Sequence, residues 1–189
     1  MPKLWNETID AHRREVTTAI LDATATLIAA QGLRAVTMSE IAGTAGIGRA
    51  TLYKYFPDVE SILIAWHERQ VAGCLARLTE LRDSAESSTE KLNAVLGHYA
   101  FVQYGSRRSD LAAVLHRQEH IGQAQQKLGA LIGDLLVQGV DGGVVRTDVP
   151  PSELAAYCLH ALSAARDLTD ESGVRRLVAV TLAGLRPAG

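Results

Sequence analysis

The feature that most constrains this chain is the spacing of its apolar residues and the points where glycine and proline cut that spacing. Val16, Ile20, Ala23, Leu27 and Ala30 recur at intervals of 4, 3, 4 and 3. Such positions share one stripe only on an α-helix. Leu154, Cys158, Ala161, Ala165 and Leu168 repeat the same intervals. No stretch alternates apolar and polar residues as a half-buried strand would, so the chain reads as all-α. Gly32 stops the first helix just past its last periodic residue. Thr37-Met38-Ser39-Glu40 is a capping-box pattern that opens a short helix over 38–45. Gly46 ends it, and a second short helix is expected over 48–55. Pro57 blocks its continuation, because the residue before proline avoids the α region. Asp58 then suits the N-cap of a long helix through residue 81. Further helices are expected over 90–104, within 110–138, after Pro150-Pro151, and over 174–185, giving about nine in all.

Length and charge narrow the class. At ~100–200 residues per domain, 189 residues make one or two domains. The punctuation places the division at 1–57 and 58–189. A hydrophobic share of 47% with 21% charged residues excludes a disordered chain. No run approaches ~18 apolar residues, so no membrane partner is expected. The polar start MPKLWNETIDAHRREV has no apolar core of a secretory signal, which makes the cytoplasm the expected compartment. Cys74 and Cys158 lie far apart and outside any CxxC pattern. Two reduced, buried thiols are expected, with a disulfide left open. Net charge is −2, yet residues 31–56 hold Arg34, Arg49 and Lys54 against Glu40, a local +2, so the remainder carries −4. A basic module on an acidic body suits local contact with nucleic acid.

Two short helices around a glycine turn make a helix-turn-helix. In that unit the second helix enters the major groove of double-stranded DNA, and its first residues reach base edges. Here those residues are Gly48, Arg49, Ala50 and Thr51. Arg49 suits either a guanine edge or a phosphate, and the sequence leaves both open. Tyr53, Lys54 and Tyr55 follow at the end suited to backbone phosphates. Thr37 can offer its hydroxyl and the neighbouring amides to another. Leu52 and Phe56, four residues apart, are expected in the core of the small domain.

The run from Thr37 to Phe56 resembles the DNA-binding signature of the TetR family of transcriptional regulators, roughly T-x-x-x-I-A-x-x-A-G-V-S-x-G-x-L-Y-x-[HY]-F. Thr37, Ile41, Ala42, Ala45, Gly46, Leu52, Tyr53, Tyr55 and Phe56 match it. Gly48 stands where serine is usual and Ala50 where glycine is usual. Glycine is still an acceptable N-cap and alanine improves helix propensity, so neither departure threatens the fold. The resemblance covers residues 13–65 closely. Over 66–189 it rests on helix order, on Arg146-Thr147-Asp148-Val149-Pro150 and on two closing apolar helices. It implies an all-α homodimer, most simply a repressor, that releases a palindromic operator when a small-molecule effector binds the C-terminal helices. The resemblance implies no enzymatic activity.

Dimerisation also follows from physics. One recognition helix covers few base pairs, and two-fold symmetry sets two of them ~34–36 Å apart, one turn of DNA, or a multiple of that. The closing helices are apolar beyond one stripe. Leu154, Cys158, Leu162, Ala165, Leu177, Val178, Thr181 and Leu185 are expected on the surplus face. Trp66, His98, Phe101, Tyr104, His116 and His120 lie in helices that would surround a family-type pocket. His116-Arg117-Gln118-Glu119-His120 also has the H-x-x-E-H spacing of some zinc hydrolases. A catalytic zinc needs a third protein ligand, which His98 could supply only if the helices cross suitably. The expectation is therefore a polar helix face or pocket lining, with no metal and no cofactor. Two other readings stay open: a DNA-binding architecture without effector, and an enzyme on a helical scaffold.

Overall fold

The computed structural model describes residues 2–106 and 118–187, and for 2–8 and 118–125 it describes the backbone alone. Among the described residues there are eight α-helices and no strand, close to the expected nine helices. They are α1 (Pro2–Gln31), α2 (Met38–Thr44), α3 (Arg49–Tyr55), α4 (Val59–Ser84), α5 (Ser88–Gly105), α6 (Gln118–Asp141), α7 (Pro151–Ser163) and α8 (Glu171–Leu185). Short 3-10 turns follow α1 at Leu33–Ala35 and α7 at Ala164–Asp167. The first helix starts at Pro2, well before its apolar stripe at Val16.

Local chemistry sets most boundaries. Both expected halves of the capping box at α2 are formed. Thr37 Oγ1 accepts from the Glu40 amide at 3.3 Å, and Glu40 Oε2 accepts from the Thr37 amide at 3.0 Å. Ser87 and Glu90 repeat the device at α5, while Asp170 accepts from the Gly173 amide at the start of α8. The end of α2 is a Schellman turn. Ile47 N–H donates to Ala42 O and Gly46 N–H to Gly43 O, with Gly46 at φ 68°. That left-handed conformation is why glycine stands there.

The described chain divides into two compact units at Gln70–Val71, inside α4. The physical reason is packing. In the first unit Ile62, Ala65 and Trp66 of α4 close over Ile20 and Leu21 of α1, Ile41 and Ala42 of α2 and Leu52 of α3. Arg69 joins Asp22 across this unit at 2.8 Å. In the second unit α5 supplies Leu92, Val95, Leu96, Tyr99 and Ala100 to a core shared with α6, α7 and α8. Gly139 lets Val145 approach closely, since a Cβ there would meet Val145 Cγ2 at 2.5 Å. Arg146 then closes the end of α8. Its amide donates to Leu185 O at 2.8 Å, and its guanidinium holds Asp148. Carbonyls left over by the helix end thereby find donors.

Candidate nucleic-acid interface

The first unit presents one polar face built on α3. Leu52 is 0% exposed and sits in the core, which fixes the rotation of this seven-residue helix. The rotation turns Arg49, Ala50, Tyr53 and Lys54 outward. Tyr53 is 49% exposed, the fate of a large aromatic ring that a small core has not taken up. Thr51 and Tyr55 are half-buried at the flanks, and Gly48 is the N-cap. Arg49 and Lys54 have no ion-pair or hydrogen-bond partner among the described residues. Two uncommitted cations, a phenol and a methyl group thus lie on one side of one short helix. That inventory can contact phosphates and base edges together.

Thr37 is differently placed. Its hydroxyl donates to Glu40 Oε2 at 2.6 Å, so the proton is spent inside the cap. Hydrogen bonding to Thr37 holds the Glu40 carboxyl below its ordinary value of 4.5. The N-terminus of α2 thus carries the protein's own carboxylate, and a phosphate contact by the Thr37 hydroxyl would require breaking that bond.

The residues expected around an effector fall in both units. Trp66 is half-buried in the first, and its indole Nε1 is buried with no hydrogen-bond partner. His98, Phe101 and Tyr104 belong to α5 in the second. Burial and the nearby Arg77 push the His98 imidazole down from its ordinary value. Phe101 packs on the core, with the Arg175 guanidinium carbon 5.9 Å from its ring centre. The Tyr104 hydroxyl donates to Thr169 O at 3.3 Å. His116 and the side chain of His120 lie outside the described residues. Among the described residues no group of three His, Cys, Asp or Glu could hold a metal ion.

Six of the eight residues expected on the association face are inside the protomer. Leu154, Cys158, Leu162, Ala165, Thr181 and Leu185 are each no more than 4% exposed, and Leu177 and Val178 are half-buried against them. The stripe that periodicity finds is the one a helix turns to its own core. What α7 and α8 leave outside is Tyr157, 40% exposed, and Val180, 65% exposed. A single exposed apolar residue on each helix carries no periodic signal, so the sequence does not single them out.

Residues 20–65 match the family described as bacterial regulatory proteins, tetR family, and residues 92–187 match the C-terminal domain of SbtR-like transcriptional regulators. The transcriptional repressor KstR2 of Rhodococcus jostii is 30% identical over 143 residues, 70% of this chain and 69% of that protein. A TetR/AcrR-family regulator from Thermobifida fusca has the same fold, with a TM-score of 0.77 at 20% identity over 90% of this chain and 98% of its own. FadR of Bacillus subtilis, solved with stearoyl-CoA, gives a TM-score of 0.67 at 19% identity, over 89% and 99%. Matches to an N-terminal and a C-terminal description cover the helix-turn-helix and most of the second unit. The chain belongs to the TetR family of bacterial regulatory proteins.

Proposed function

We propose that this regulator is a ligand-responsive repressor that binds a palindromic operator as a homodimer in the cytoplasm and catalyses no reaction. The observation that carries the reading is the two-sided character of α3. Leu52 locks one side into the core, and Arg49, Ala50, Tyr53 and Lys54 stand on the other without partners among the described residues. Thr51, Tyr55 and Gly48 flank that side, and Thr37 at the start of α2 joins the proposed interface by exchanging its hydrogen bond to Glu40 for one to a phosphate. Residues 1–57 form the DNA-binding domain in this reading, and 58–189 the ligand-binding and dimerisation domain. Tyr157 and Val180 mark the association face.

Repression is relieved when an effector prefers a conformation that spaces the two recognition helices wrongly. An effector moves that equilibrium only by its differential affinity for the two states. The continuous helix α4 belongs to both units and carries the change. The stearoyl-CoA bound to FadR supports a small-molecule effector for a helical body of this fold.

The test is selection of the purified chain against random double-stranded DNA, followed by sequencing. Enrichment of a palindrome with half-sites about one helical turn apart is expected. Uniform, salt-sensitive binding with no enriched sequence overturns the reading.

A further inference from the structure

The second unit holds a row of hydrogen-bond donors that runs out of acceptors. Tyr99 and Gln103 lie one turn apart on α5, each 8% exposed. The Gln103 amide Nε2 donates to the Tyr99 hydroxyl oxygen. Gln103 Oε1 accepts twice from Arg166, from Nε at 2.8 Å and from Nη2 at 2.7 Å. Arg166 comes from the 3-10 turn after α7. Guanidinium gives to amide, and amide gives to phenol. The Tyr99 O–H, last in the row, has no acceptor among the described residues.

The outer end of the row is charged and exposed, at Arg166. Arg166 meets a neutral carbonyl oxygen and has no carboxylate partner among the described residues, although Asp167 is its chain neighbour. A guanidinium fork matches a carboxylate in shape and charge, and such pairs are the strong ones. A glutamate at 103 would brace α5 to the turn better than glutamine does. It would neutralise Arg166 and accept a hydrogen bond from the Tyr99 hydroxyl. Glutamine leaves both demands open.

We propose that this row recognises a small organic carboxylate. Its oxygens accept from the Arg166 N–H groups that Gln103 leaves over and from the Tyr99 hydroxyl. The carrier is organic because the row runs from Arg166, which is exposed, inward to Gln103 and Tyr99, which are buried beside the apolar core. Tyr99 belongs to the core of the second unit, with Phe101, Tyr104 and Leu168 packed against it. The inference rests on the reading that the helical body takes an effector, and it names that effector's chemistry.

The full-length chain titrated with hexanoate in a calorimeter tests it, beside hexanamide and inorganic phosphate. Saturable hexanoate binding is expected, with hexanamide and phosphate at least about tenfold weaker. R166Q and Q103E should each weaken hexanoate by about tenfold or more. Q103E should keep or raise Tm, because it fills both demands from within, and this separates a lost site from a lost fold. Absent hexanoate binding, phosphate binding as tight as hexanoate, or unchanged affinity in Q103E overturns the proposal. An operator-release assay separates it from the reading beneath. Hexanoate that binds at this row without changing DNA affinity supports the site and rejects it as the regulatory one. Intact operator binding and release by another compound, with no hexanoate binding, reject the carboxylate site alone.

Discussion

Tyr157 of α7 lays its hydroxyl against Gly184 of α8, so closely that a methyl group added to Gly184 would meet that oxygen at 2.9 Å. The pair couples the outer surfaces of the two last helices. G184A should push the phenol aside, since the contact is with the far end of a side chain, and leave the helices folded. It should weaken self-association nonetheless, because the ring is part of the proposed face. Y157R should do so more strongly, by at least about tenfold in dimer Kd, with helical circular dichroism unchanged. Sedimentation at several concentrations reads both. A wild-type chain that is monomeric at micromolar concentration rejects the face.

On DNA, the two cations of α3 should separate by role. R49A should cost ~1–3 kcal/mol on the selected operator and relax the choice of base if Arg49 reads a guanine edge. An equal loss on every sequence assigns it to phosphate. K54A should weaken all sequences alike and lower the salt slope by about 0.9 per protomer, ~1.8 for the dimer. A salt slope unchanged by K54A removes Lys54 from the interface.

Leu52 is the pin of the small unit. L52A should destabilise it by about 2–5 kcal/mol, the range for a fully buried leucine that leaves a cavity. The loss should appear as a lower Tm and as lost DNA binding, because the same residue sets which side of α3 faces out. A Tm unchanged in L52A would mean that α3 is not seated on this core.

Acid should loosen the helix starts. Glu40 is held below 4.5 by the Thr37 hydroxyl and then by Gln31, and Glu90 below 4.5 by the amides of Ser87 and Glu86. A carboxylate with a depressed folded pKa stabilises the fold above its unfolded value. That contribution is full above 4.5 and is lost as pH falls through the lower folded values. The paired variant E40Q/E90Q should therefore lose less Tm than wild type between about pH 5 and pH 3. Parallel Tm curves would show that the caps do not titrate with folding.

The thiols should be inert in the folded chain. Burial pushes Cys158 up to about 12 and raises Cys74 as well. The thiolate is the reactive form, so thiol reagents at neutral pH should label Cys158 only under denaturing conditions. Rapid native labelling of Cys158 would contradict its place in the core.

Helix boundaries were legible in the sequence because the signals that set them are local. Thr37, Gly46, Pro57 and Pro150-Pro151 each act within a few residues, and the helices expected at 38–45 and 48–55 are found at 38–44 and 49–55. Which face of a helix is inside was less legible. The stripe through Leu154, Cys158 and Leu162 is apolar whether it meets its own core or a second copy, and only the neighbouring helices decide. The Gln103–Arg166 contact joins residues 63 apart and has no periodicity to betray it. The α3 face was readable because Leu52 and the residues around it obey both the helix period and the family signature.

The caps at Thr37–Glu40, Ser87–Glu90 and Asp170–Gly173 each close within four residues. A bond spanning so little chain costs almost nothing in loop closure. The starts of α2, α5 and α8 are therefore specified as soon as those few residues leave the ribosome, and for α2 and α5 this is before the later helices that pack on them have been synthesised.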